Sequence, residues 1–164
     1  MRTITRVSAV VAAFLSLGAM PAVAQSANIN AIANVFQAIT VTGANTLDFG
    51  NVFPGVAKTI AVANASAGRF DLSGQGSAPV QLTFTLPTNL TSSGNNLPIG
   101  TWTGCTNPTN STAGCTSFTP SGTPTGSAFG GAGTLFVFVG ATVTPGAAQP
   151  AGSYTGTVTL TANY

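Results

Sequence analysis

Chemistry needs groups that take and give protons, attack, or hold a metal, and this chain offers few. It has no His and no Glu, and its carboxylates other than the chain terminus are Asp48 and Asp71. Ser and Thr abound, but without His the usual base that activates a hydroxyl is missing. Asp48 stands in Leu47-Asp48-Phe49-Gly50 beside a glycine turn, and Asp71 alternates with Phe70 and Leu72. Both positions suit a turn-bonding or solvent-facing carboxylate better than a glycosidase pair. Two isolated acids also make a poor calcium site, which gathers several oxygens. Gly130-Gly131-Ala132-Gly133 lacks the lysine and the strand-to-helix context of a phosphate loop. The expectation is a protein that is not an enzyme and carries no cofactor and no metal.

Cys105 and Cys115 are the chain's two cysteines, in GCTNPTNSTAGC. In an oxidising compartment an even count points to a disulfide. A metal pair would need further ligands that the segment does not supply; a reactive thiol is the remaining alternative. Trp102, the single tryptophan, is a candidate contact surface for carbohydrate or else a packing residue.

Charge narrows the field further. Only 4% of the 164 residues are charged and the formal net charge is +2, whereas a typical soluble protein is about one-quarter charged. Without clustered Lys or Arg, phosphates cannot be neutralised, so nucleic acid is not an expected partner. Thr, Ser, Asn and Gly supply a hydrated but non-ionic surface instead.

Met1–Ala24 reads as a secretory signal peptide: Arg2 and Arg6 ahead of the apolar run Val7–Leu17, then Pro21 and the small-x-small site Ala22-Val23-Ala24. The run is shorter than the roughly 20 residues that span a bilayer, which argues against a membrane anchor. The expected product is Gln25–Tyr164, exported to the periplasm, cell surface or exterior, with no transmembrane helix after processing.

The elements that position these residues read as strands. Apolar residues alternate in Asn28–Thr42 (Ile29, Ala31, Ala33, Val35, Ile39 and Val41), in Leu47–Phe49, Ile60–Val62 and Phe70–Leu72, and in Val80–Leu86. Thr134–Thr144 is apolar on both faces through Leu135–Val139, the mark of a central strand. Tyr154, Val158, Leu160, Ala162 and Tyr164 share one face of the final run. Gly and Pro punctuate the runs at short intervals. The fold expected is all-β: a single antiparallel, immunoglobulin-like sandwich of about seven to nine strands. Residues 88–133, rich in Thr, Ser, Gly and Asn, read as a long connection that holds the cysteines and one or two weak strands.

Two stretches carry a resemblance. AITVT followed by TLDFGNVFPG, within Asn30–Gly55, and Gly152-Ser153-Tyr154-Thr155-Gly156 leading into a terminal strand resemble a bacterial secreted family known as domain of unknown function 4402. That family is similar, more distantly, to pilus and spore-coat-type subunits assembled by periplasmic chaperones. The resemblance implies a pilin-like sandwich completed by strand addition between copies or related subunits. It implies Gln25–Val41 as donor strand, with Ile29, Ala31, Ala33, Val35, Ile39 and Val41 as plug residues. It also implies Tyr154–Tyr164 as the terminal edge strand that a chaperone pairs with. The same alternation in Ile29–Val41 suits an ordinary strand paired within its own domain. The competing functions are a monomeric glycan-binding module and a small outer-membrane β-barrel.

Overall fold

The computed structural model describes residues 25–164; the signal-peptide reading of Met1–Ala24 lies outside the described residues. The chain divides after Asn34 into an amino-terminal unit and a compact unit, Val35–Tyr164. In the first, residues 25–34 form no regular element and every one is exposed.

The compact unit contains ten strands: β1 (Thr40–Asn45), β2 (Lys58–Ile60), β3 (Gly68–Ser73), β4 (Pro79–Thr85), β5 (Asn89–Ser92), β6 (Asn95–Asn107), β7 (Thr116–Phe118), β8 (Thr125–Ala128), β9 (Thr134–Val143) and β10 (Thr159–Asn163). The count exceeds the expected nine because four of them are only three or four residues long. All pairings are antiparallel. A seven-stranded sheet runs β1-β3-β9-β6-β5, with β2 added to β9 and β7 to β6, and a three-stranded sheet runs β10-β4-β8. Both sheets have free edges, so the described residues close no barrel.

The apolar run in β9 does what its composition predicts. β3 pairs on one side and β6 on the other, and Leu135, Val137 and Val139 are fully buried on its inward face. They meet Val80, Leu82 and Phe84 of β4 and Leu160 of β10 across the core. The two sheets are therefore held face to face by alternating residues, in a sandwich-like arrangement.

Residues 88–133 hold more structure than the one or two weak strands expected: four strands, β5 to β8, among them a hairpin and the longest strand. Ser93 and Gly94 both have positive φ, 46° and 84°, the backbone of a two-residue hairpin turn whose twist matches that of the strands. The turn starts β6, which crosses 13 residues. Midway, the register of β6 against β9 slips by one residue between Gly100 and Thr103, with Thr101 at a φ of 48°. A bulge of this kind exchanges the faces of a strand. Leu97 and Ile99 point inward before it, and Gly104 and Thr106 after it, opposite Val139 and Val137. Trp102 sits at the switch and packs against both core clusters.

The disulfide Cys105–Cys115 joins buried β6 to the residue preceding β7, with Cα atoms 5.8 Å apart. Asn107 organises the loop between them: its Oδ1 accepts from the backbone and hydroxyl of Thr109, and its Nδ2 donates to the Ala113 carbonyl. The loop is tethered to β3 where Arg69 Nη1 donates to Asn110 Oδ1. Phe138, flanked in the sheet by Arg69 and Cys105, points away from the inter-sheet core yet is only 8% exposed. The loop is tied at both residues that flank Phe138, to Arg69 through Asn110 and to Cys105 through the disulfide.

Candidate functional site

The small sheet roofs only one end of the large one. At the other end the inward residues Ile60, Leu97, Ile99, Ala141 and Val143 form a second cluster with Phe49 and Ala67. Here the roof is irregular chain, residues 46–56 on one side and 145–158 on the other. Between them runs a groove of about 1080 Å³, with Phe70, Leu90, Leu97, Ile99 and Val139 among its lining residues. A hydrogen bond from Gly55 N–H to the Gly146 carbonyl, 3.0 Å, joins the two walls.

Each wall is built around one of the sequence stretches singled out above. In Leu47-Asp48-Phe49-Gly50, Asp48 Oδ1 accepts from the Gly50 N–H at 2.7 Å, and the Asp48 N–H reaches the Ser66 carbonyl at 3.0 Å. This Asx-type turn leaves Phe49 buried in the second cluster. Lys58 Nζ donates to the Asn51 carbonyl and steadies the same wall.

In Gly152-Ser153-Tyr154-Thr155-Gly156, Tyr154 is the fixed point. Its Oη donates to the Pro150 carbonyl at 2.8 Å and accepts from Gln149 Nε2 at 2.7 Å. Gln149 Nε2 also donates to the Asn96 carbonyl at the start of β6. Thr155 exchanges both backbone hydrogen bonds with Thr91 of β5. The two glycines permit this approach: a Cβ on Gly152 would lie 2.6 Å from Ser92 Oγ, and one on Gly156 2.7 Å from Leu90 Cδ2.

These two stretches and the strand that follows the second lie within a recognised unit. The model of the family "Domain of unknown function (DUF4402)" matches residues 39–164. The chain belongs to this family. No curated protein and no solved structure matches it. The DUF4402 domain therefore includes both walls of the groove, all ten strands and the disulfide, and its match begins at Ile39.

The other residues singled out from sequence fall as follows. The expected strand across Asn28–Thr42 is corrected: only Thr40 onward pairs, in β1 against β3. Residues 25–39 do not continue the ladder because Thr40 already pairs with Ser73, the last residue of β3. Ile29 and Val35 are 94% and 92% exposed, and Ala31 and Ala33 are exposed too. Ile39 packs on the first cluster, and Val41 lies in β1 opposite Leu72. The candidate plug residues thus divide into an exposed set before Phe36 and a set that belongs to the domain.

The terminal strand is also shorter than expected. β10 covers Thr159–Asn163 at the edge of the small sheet, with Leu160 and Ala162 facing the core opposite Phe84 and Leu82. Val158 packs on the same core, whereas Tyr154 serves the groove wall. Tyr164 closes a separate contact: its Oη donates to the Gln37 carbonyl and accepts from the Gln75 N–H, and its ring meets Phe36 edge-on at 5.1 Å. Trp102 is half-buried at the β6 bulge, in a packing position. Asp71 is bound to Arg69 at 2.7 and 3.2 Å. Among the described residues, no helix is long and apolar enough to cross a membrane.

Sequence reasoning misses Leu90 and Gln149 as parts of this site. Leu90 has a signal in its pairing with Leu97 across the Ser93-Gly94 turn; Gln149, an isolated amide after a Pro-Gly turn, has none.

Proposed function

We propose that the protein is an exported structural component, a fimbrial-type or coat subunit of the cell surface, that assembles by strand addition and performs no catalysis. The observation that carries this reading is the exposed segment 25–35. It has no charged side chain, and Ile29, Ala31, Ala33 and Val35 recur at period two. A period-two apolar face left in water gains about 25 cal/mol per Å² of apolar surface when it finds a sheet or groove to cover. Main-chain hydrogen bonds then supply affinity, and alternate side chains set the register. The edge strand β10 offers a second place for pairing, suited to a periplasmic chaperone that shields an edge before assembly. The scarcity of charge fits a polymer whose subunits meet without like-charge repulsion, and the signal-peptide pattern supports export.

Light scattering on size-separated Gln25–Tyr164 tests the reading. Oligomers that grow with concentration and vanish when residues 25–35 are removed are expected. A strictly monomeric protein at every concentration, equally stable with and without the segment, would overturn it.

A further inference from the structure

The surface around β7 and β8 carries hydroxyls in place of charge: from Leu72 to Tyr164 the sequence has no charged side chain. We infer that the loop joining these two strands is a site of covalent O-glycosylation, with Thr119 and Thr123 as the acceptor residues. The inference does not depend on strand addition.

Three observations carry it. The first is the sequence pattern. Phe118-Thr119-Pro120-Ser121-Gly122-Thr123-Pro124-Thr125 contains Thr-Pro twice in quick succession. Ser- and Thr-rich sequence with Pro is the composition of O-glycosylated chains. Proline also disfavours helical backbone in the residue before it. Each threonine is thereby biased toward the extended form in which a transferase can align an acceptor in its cleft.

The second is presentation. Phe118 packs on the core with its ring centroid 5.7 Å from that of Phe84, and Pro120 is buried. Thr119, between these two anchors, is exposed. Ser121 fixes the turn that follows. Its carbonyl accepts from the Phe84 N–H at 2.9 Å, and its hydroxyl accepts from the Thr123 N–H and donates to the Thr123 carbonyl. Thr123 and Pro124 stand exposed on the far side of the turn. Several other hydroxyls serve the fold: Thr40 bonds to Ser73, Thr59 to Thr142, and Thr134 to the Pro108 carbonyl. Among the described residues no hydrogen bond engages the hydroxyl of Thr119 or Thr123. Both are held in place yet free to react. The remaining Thr-Pro pair differs, because Thr144 N–H is bound to the Pro98 carbonyl and its backbone is committed to the sheet.

The third is place. β7 pairs with β6 alone and β8 with β4 alone, so both strands are sheet edges. Natural edges are commonly blunted by charge or proline; Thr116–Phe118 and Thr125–Ala128 have neither. The loop leaves the end of one edge strand and enters the start of the other. Glycans at Thr119 and Thr123 would stand beside both edges, obstruct further pairing there and supply the hydration that charges supply elsewhere. The edge strand β10, on the opposite side of the small sheet, stays open.

The chain contributes the nucleophile. Threonine Oγ1 bonds to the anomeric carbon of a sugar carried on a nucleotide or lipid pyrophosphate. The bond from that carbon to the phosphate oxygen breaks, the carrier leaves with the electron pair, and the hydroxyl proton passes to a base of the transferase. Nothing is oxidised or reduced. With no His and no Glu in the chain, a separate enzyme supplies that base.

Intact mass decides the matter. The protein isolated from its native cells is compared with Gln25–Tyr164 made in a cell-free reaction without sugar donors, once the amino termini are matched. The isolated protein should be heavier by whole sugar residues, and fragmentation of a peptide spanning residues 119–124 should place them on Thr119 and Thr123. Thr119→Ala and Thr123→Ala should each lose one glycan, the double variant should return to the cell-free mass, and Thr144→Ala should lose nothing. All three positions are exposed, so the changes remove no core packing. An isolated protein at the cell-free mass, or an increment that survives in the double variant, would overturn these sites. An increment of phosphate in place of sugar would overturn the glycan. The cell-free protein should also self-associate at lower concentration than the glycosylated one; equal association would overturn the role at the edges.

Discussion

The two ends of the sandwich solve the same burial problem differently. At one end, β4, β8 and β10 lie over β3 and β9, and ladders satisfy the backbone while alternating Val, Leu and Phe fill the gap. At the other, chain without ladders roofs the same large sheet and uses side-chain and turn contacts instead: Asp48 to Gly50, Lys58 to Asn51, Tyr154 to Pro150. A ladder fixes many residues at once, so stability concentrates there. A roof of individually bonded turns is easier to part. The difference places the fold's stability in the laddered half and its local openings in the other.

The largest effect belongs to the laddered end. Leu82 is fully buried between the sheets, and Leu82→Ala should destabilise the protein by about 4 kcal/mol through lost burial and a residual cavity. Denaturant unfolding measures it directly. Phe53, exposed on the groove wall at 68%, gives the contrast: Phe53→Ala should leave the midpoint within about 0.5 kcal/mol, as surface changes usually do. Equal costs at both positions would erase the division between the two ends.

The disulfide comes next. Replacing both Cys105 and Cys115 with Ser should cost about 3 kcal/mol, the chain-entropy value for a loop of this length. It should also raise dye binding by apolar surface, because Phe138 lies between Arg69 and Cys105, the two residues to which the loop is tied. A loss of stability without new apolar exposure would show that Phe138 stays covered without the crosslink's help.

How far the sequence reveals this division follows from the kind of bonding at each end. β4, β9 and the apolar half of β10 announce themselves, since a buried ladder requires alternation and Val, Leu and Phe provide it. The β5–β6 hairpin hides, because Asn, Thr, Ser and Gly fill its exposed positions and its few apolar residues change face at Trp102. Its one clear signal is the Ser93-Gly94 turn, small in a region rich in the same residues. The groove is less visible still. Leu47–Gly50 and Gly152–Gly156 stand out separately as short patterns, but nothing in either says that Gly55 bonds Gly146 and sets them opposite each other. The amino-terminal alternation is legible as a strand, and the strand forms only from Thr40, because its partner β3 ends at Ser73 opposite that residue.

A smaller effect falls on the groove wall, and it separates stability from assembly. Tyr154→Phe keeps the ring and removes the hydroxyl that joins Gln149 to Pro150. Two hydrogen bonds near the surface are worth about 1–2 kcal/mol together, and hydrogen exchange should report the loss locally, in residues 145–158 and at Asn96, with β4 and β9 unchanged. Exchange that accelerates uniformly would mean that the wall and the laddered core open as one unit.

The smallest predicted effect tests the opposite wall. Asp48 is one of two side-chain carboxylates in the chain, and its visible partner is a backbone N–H in its own turn. If turn formation is its whole role, Asp48→Asn should be nearly silent, because the amide oxygen can accept the same bond. Asp48→Ala should cost about 1 kcal/mol, the usual worth of one such hydrogen bond. Oligomer formation should follow the same order, since the turn sets where Phe49 and the wall beyond it lie. A large loss of assembly in Asp48→Asn, with stability intact, would show that the negative charge itself meets the partner.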